Sequence, residues 1–171
     1  MDKIYAEKMI TEYGKSLYSF CLYTTNDRDK ADDLYQQTFI TVFEKDELES
    51  VSNPKAYLVS IAANIWKNTV RKIMWRRKIA DIVFLEEDEL AKIATKDPSV
   101  EEIVERRQEE IELKKQFFHL PEKQRIVILM FYMENMSIEE ISAALHIPSG
   151  TVKSRLNKAK IRLKERLTDG K

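Results

Sequence analysis

Lys153 and Asn157, and likewise Ser154 and Lys158, stand four residues apart in TVKSRLNKAK, a spacing that puts all four on neighbouring rows of one helix surface. Lysine and asparagine side chains read guanine and adenine edges, and serine is permissive. Thr151, near the start of the same helix, suits a phosphate held by the first backbone NH groups. Arg155, Lys160, Arg162 and Lys164 add positive charge, some of it for phosphate. A second set lies between residues 51 and 80: Lys55, Lys67, Arg71, Lys72, Arg76, Arg77 and Lys78, interleaved with Tyr57, Trp66 and Trp75. Cations among aromatics fit single-stranded or unstacked nucleic acid, because every base offers a face for stacking. Asn64 and Asn68 stand a helical turn apart and can hydrogen-bond base edges or backbone. Trp66, next to Ile65, is expected in a core; for Tyr57 and Trp75 periodicity does not choose between core and base platform.

Other chemistry finds little support. Asp32 and Asp33 are adjacent, so they point to different helix faces and cannot form a paired acid and base. There is no Gly-rich phosphate loop and no catalytic triad, and the expectation is a protein without catalytic residues. One cysteine, Cys21, cannot make an internal disulfide, and with only two His no metal-ligand spacing arises. No metal or cofactor is expected. The opening MDKIYAEKMITEY is charged and lacks the apolar centre of a signal peptide. The longest apolar run, Ile126 to Met133, has eight residues against the roughly 18 needed to span a bilayer. These features predict a cytoplasmic protein that is not itself a membrane protein.

The elements that must carry these residues are helices. Three Gly and four Pro in 171 residues leave little room for hairpin turns, and 34% charged residues suit exposed helix faces. The first helix is predicted from about Lys3 to Tyr23, with Tyr5, Met9, Tyr13, Leu17 and Cys21 on one face. Thr24 to Asp27 reads as a turn, with Asn26 before Asp29 as a helix start. The second helix then has Ala31, Leu34, Tyr35, Thr38, Phe39, Val42 and Phe43 on one stripe and Asp32, Asp33, Gln36 and Gln37 on the other face. Asn53 and Pro54 give an N-cap and first-turn proline to a third helix ending near Lys78. Its inward residues are Leu58, Ile61, Ala62, Ile65, Thr69 and Ile73. Residues 81–105 read as an acidic linker. Beyond it, Pro121 opens a helix whose apolar run demands burial on most sides. Ser137 and Glu140 then form a capping box.

The fold expected is all-α: two small helical domains, residues 1–80 and 106–171, the second ending in a helix-turn-helix. A short capped helix (Ser137 to Leu145), the turn His146-Ile147-Pro148 and a basic helix from Ser149 have that order. Ile141, Leu145, Ile147, Val152 and Leu156 can close the small core between them. An ordinary helical hairpin with a basic face has a similar pattern; turn, core positions and basic second helix together favour the DNA reader.

Charge alone would argue otherwise, since 29 basic residues balance 29 acidic ones. The balance is a sum of blocks: net −5 over residues 1–50, +7 over 51–80, −7 over 81–110, −1 over 111–145 and +6 over 146–171. Two basic surfaces separated by an acidic stretch can meet phosphate at two places.

At this point the chain resembles bacterial RNA polymerase sigma factors of the extracytoplasmic-function type, over nearly its whole length. ADDLYQQTFITVFEK (31–45) is similar to the helix by which that family grips the clamp helices of the polymerase largest subunit. NPKAYLVSIAANIWKNTVRK (53–72) resembles the segment that melts and reads the −10 element, and residues 120–163 resemble the domain that reads the −35 element. The resemblance implies polymerase contacts by Asp32, Asp33, Gln36 and Gln37. It implies that Ser52 and Asn53 help hold a flipped base, and that Asn64, Lys67, Asn68, Arg71 and Lys72 contact −10 DNA, in a set that also takes in Tyr57 and Arg76. At the −35 duplex it implies Lys153, Ser154, Asn157 and Lys158, with Thr151 and Arg155 beside them. The implied partners are core RNA polymerase through its clamp helices and flap, promoter DNA as −35 duplex and melted −10 strand, and an anti-sigma factor.

The chain departs from the family at four positions. Gln37 stands where a carboxylate is usual, Asn68 where Asp is common, Ser142 in a slot often held by Ala and His146 in one often held by Gly. A rival reading is a helix-turn-helix regulator that acts without being a polymerase subunit; it leaves the 31–45 helix and the first basic helix without a role.

Overall fold

The computed structural model describes residues 2–80 and 108–169, and every described element is helical. The predicted linker, residues 81–105, lies wholly outside them. Helix α1 spans Lys3–Thr25, and the side chain of its N-cap Asp2 accepts from the Ile4 NH. It runs two residues beyond the expected end, because Thr25 stays helical while its hydroxyl donates to the Cys21 carbonyl at 2.9 Å. Asn26, expected to start the next helix, instead ends α1 in the left-handed conformation with φ 52°. Asparagine tolerates that conformation better than most side chains. The start falls to Asp27, whose carboxylate accepts from the Lys30 NH at 3.1 Å and opens α2, Arg28–Lys45.

A single 3-10 turn, Leu48–Ser50, seats Leu48 in the core before α3, Pro54–Ala80. Asn53 caps α3 as expected, its side-chain oxygen accepting from the Ala56 NH at 3.1 Å. The three helices bury Leu17, Phe20 and Cys21 from α1, Ala31, Leu34, Phe39 and Val42 from α2, and Leu58, Val59, Ala62 and Trp66 from α3. Phe20 is wholly buried, and burying one such ring is worth about 1.5–3 kcal/mol. Gly14 lets α1 and α2 approach closely: a Cβ there would stand 2.7 Å from the Tyr35 hydroxyl.

In the second half α4 is Gln108–Phe118 and α5 is Glu122–Ile128, with Pro121 at the N-cap position and no side-chain cap. Helix α5 widens into a π-helical turn, Leu129–Met133, closed by the Glu134 NH on the Leu129 carbonyl at 3.1 Å. Ile126 to Met130 are buried as the apolar run demands, whereas the wider turn delivers Tyr132 to the surface, 53% exposed beneath the Lys160 ammonium. Helix α6 is Ile138–Leu145, and the Ser137 hydroxyl accepts from the Glu140 NH at 3.0 Å, the serine half of the expected capping box. Helix α7 is Ser149–Asp169. Ile141 and Leu145 of α6 and Val152, Leu156 and Ala159 of α7 are buried in a seam where α7 packs on both α5 and α6. The two bundles also pack on each other, α3 against α6 and α1 against α5.

Candidate nucleic-acid interface

The turn between α6 and α7 aims the second helix. His146 ends α6 in the left-handed conformation, φ 56° and ψ 45°, with its NH on the Ser142 carbonyl. That conformation explains why glycine is frequent in this slot, and histidine carries a steric cost there. The Ser142 hydroxyl donates to the Ile147 carbonyl at 2.5 Å, so the serine ties the turn from within. With Val152, Leu156 and Ala159 held in the seam, the opposite face of α7 must look outward. Lys153, Ser154, Asn157 and Lys158 are all exposed on it, as their spacing predicts. Thr151 and Arg155 are half-buried.

Helix α3 meets a different environment. Lys72 and Arg76 are exposed, and Arg71 donates to the Asn68 side-chain oxygen at 2.8 Å, so this pair is already partnered. Asn64 donates to the Ser60 carbonyl at 2.9 Å and to the Ala144 carbonyl at 2.6 Å. Lys67 donates to the Leu145 carbonyl at 3.0 Å. Burial lowers the proton affinity of Lys67 from its usual value, and the positive charges of Arg155, Arg71 and Lys123 lower it further. Tyr57 is half-buried and donates to the Glu47 carboxylate at 3.2 Å; burial and that bond both raise its phenol pKa. Trp66 is in the core, 6% exposed, and its indole NH donates to Glu122 at 3.1 Å. Trp75 is the opposite case at 64% exposed, beside the exposed Met74. Ser52 and Asn53 lie exposed in the loop leading into α3.

Asp32, Asp33, Gln36 and Gln37 are exposed together on α2. Asp32 accepts from the Tyr18 hydroxyl at 2.7 Å, which raises the Tyr18 pKa. Gln37 reaches Thr41 at 3.5 Å. A shallow depression lined by Gly14, Lys15, Tyr18, Asp32, Tyr35 and Gln36 continues this surface onto α1.

Sequence reasoning missed the residues that join the two bundles. Arg125 is 3% exposed and donates to the Thr24 carbonyl at 3.0 Å and the Phe118 carbonyl at 3.2 Å, and it pairs with Glu122. Glu134 is buried, with the Lys55 ammonium 3.2 Å from Oε2. That contact lies outside hydrogen-bond geometry and is ionic pairing alone. A signal existed: Arg125 and Glu134 bracket the eight-residue apolar run, and charges so close to a buried run must find partners. Among the described residues no group of three or more His, Cys, Asp or Glu gathers as a metal site, and no helix is long and apolar enough to cross a membrane.

Known proteins share this architecture. Residues 9–76 match the family model for sigma-70 region 2, and residues 112–163 match that for sigma-70, region 4. The chain is 26% identical over 161 residues to the ECF RNA polymerase sigma factor SigE of Mycolicibacterium smegmatis, covering 94% of this chain and 61% of that protein. It therefore spans about three fifths of that relative's length. It is 26% identical over 175 residues to the ECF RNA polymerase sigma factor SigW of Bacillus subtilis, covering 92% and 86% respectively. The sigma factor RpoE, solved in complex with the anti-sigma factor NepR from Bartonella quintana, superposes with a TM-score of 0.72 at 27% identity over 98% of each chain.

Proposed function

The chain belongs to the sigma-70 family of RNA polymerase sigma factors, in its extracytoplasmic-function type, and from that premise we propose how its parts divide the work of starting transcription. Residues 1–80 act as the polymerase-docking and −10 domain, residues 106–171 as the −35 domain, and 81–105 as the acidic connection. Asp32, Asp33, Gln36 and Gln37 on α2 meet the clamp helices of core polymerase, and the second domain meets the flap. Lys153, Ser154, Asn157 and Lys158 enter the major groove of the −35 duplex, with Thr151 and Arg155 at its phosphates. Asn53, Tyr57, Asn64, Lys67, Asn68, Arg71, Lys72 and Arg76 take the unstacked −10 strand.

The mechanism is binding alone, with no covalent step assigned to this chain. Capturing flipped bases offsets an unpairing energy of a few kcal/mol per base, so melting is driven by what the first domain gains from exposed bases. The polymerase supplies the chemistry, and the site of action is the cytoplasm. An anti-sigma partner fits the close likeness in fold to a sigma factor solved with its anti-sigma factor.

The observation that carries the reading is the exposed Lys153, Ser154, Asn157 and Lys158 face, backed by its own buried seam. Run-off transcription with core polymerase on a promoter library tests it. The expected result is start-site-specific transcript only with this chain present, from promoters sharing one −35 and one −10 sequence. Transcription that does not depend on the chain, or tight specific duplex binding without polymerase, contradicts it.

A further inference from the structure

The two bundles cap each other's helix ends. The last carbonyls of a helix have no partner within it and carry the negative end of its dipole. Those of α6 are Ala144 and Leu145, and they are taken by Asn64 and Lys67 of α3. In the other direction, Arg125 of α5 takes the Thr24 carbonyl in the last turn of α1. Trp66 on Glu122 and Lys55 beside Glu134 complete the seam. Each of these contacts joins the first bundle to the second.

Asn64 makes the consequence explicit. Its amide nitrogen has two hydrogens, and both are committed, one to Ser60 and one to Ala144. While α6 is docked, this amide has no donor left for a base. The Lys67 ammonium is likewise held at the end of α6 rather than at a phosphate.

We propose that the −10 face of α3 is an intramolecular docking surface for the carboxyl end of α6, so that the helix-turn-helix and the melted strand compete for Asn64 and Lys67. The proposal rests on the −10 assignment of α3. Closing is opposed by features of the same seam. It gathers the positive charges of Lys67, Arg71, Lys123 and Arg155, and it buries Thr24 Oγ1, Gln124 Oε1 and Arg125 Nε without a hydrogen-bond partner among the described residues. The docked form is therefore poised to open when a strand takes over the two side chains.

The test uses the full chain labelled at Glu7→Cys on α1 and Glu139→Cys on α6, both exposed positions. Native Cys21 is wholly buried and stays unlabelled. Energy transfer between the labels reports docking, and a randomised single-stranded DNA 12-mer is the probe. The parent is expected to give a short distance that lengthens as DNA is added. Ala144→Gln, a neutral wedge at the contact with Asn64, is expected to lengthen it without DNA and to bind DNA about five- to tenfold more tightly. Glu134→Gln, at the other end of the seam, serves as the second variant should the first fail to fold. A distance unchanged at DNA saturation, or folded variants that stay short, overturns the proposal. So does an opened variant that binds DNA no more tightly than its parent. DNA binding by none of the chains removes the −10 assignment first and the competition with it.

Discussion

Helices α7 and α3 carry similar chemistry in opposite states of readiness. On α7 the four base-reading candidates face outward, because Val152, Leu156 and Ala159 are buried on the other side of the helix, which packs on α5 and α6. On α3 the same kinds of side chain are spread along 27 residues, and several are already bonded to protein. The difference teaches that residue type states a capacity, and the hydrogen-bond ledger states how much of it is available. A lysine on a bare face and a lysine on a helix carboxyl end are different reagents.

The comparison can be broken most severely at the seam that makes α7 ready. Ile141 is wholly buried there, and Ile141→Ala is expected to cost about 2–5 kcal/mol, read by urea unfolding. The second bundle should lose −35 binding while α1 to α3 keep their own core. Retained −35 affinity would mean that α7 does not depend on α6 for its aim.

Next comes the reading face itself. Lys158→Ala should weaken −35 binding by the holoenzyme by about 1–3 kcal/mol if the side chain reads a base, with relaxed preference at one position. Equal loss on every −35 sequence would reassign it to phosphate. A control lies on α2, outside both proposed DNA surfaces. Asp33→Arg should weaken polymerase binding about tenfold, roughly 1.4 kcal/mol, and leave the circular dichroism unchanged. Unaltered holoenzyme assembly would remove Asp33 from the docking surface.

The smallest effect separates opening from unfolding. Burial pushes the Cys21 thiol up to about 12, so at pH 8 it is protonated as well as covered. Alkylation by iodoacetamide should remain slow when the bundles part, since Cys21 belongs to the core of α1 to α3, and become fast only on unfolding. Its contribution to stability is present below the ordinary thiol value of 9.0 and is lost as pH rises from there toward 12. Fast labelling of the native chain at pH 8 would show that the first bundle opens by itself.

Most of the helices were legible in the sequence because the apolar period and the caps agree. Asn53 before Pro54 and Ser137 before Glu140 each supply a side-chain oxygen where a helix needs one. The boundary between α1 and α2 was less legible, because Asn26 and Asp27 are both competent caps and only backbone conformation separates their tasks. The exposed face of α7 followed from spacing. The seam between the bundles did not, since its bonds cross 56 to 101 residues of sequence and three of these four end on backbone carbonyls, which no residue pattern records. The widened turn at Leu129–Met133 was also hidden: an apolar run looks alike whether it winds as an α or a π turn.

The histidine that ends α6 bears on heat tolerance. His146 holds a left-handed backbone conformation at an exposed position, a cost of about 1–2 kcal/mol that glycine would avoid. For a domain of this size each kcal/mol recovered raises the melting temperature by about 4–8 °C. Replacing His146 with glycine, which leaves every side chain proposed to face duplex, strand or polymerase in place, is therefore a direct route to a hardier protein. Such a chain would be easier to store, to crystallise and to carry through a reconstitution at elevated temperature.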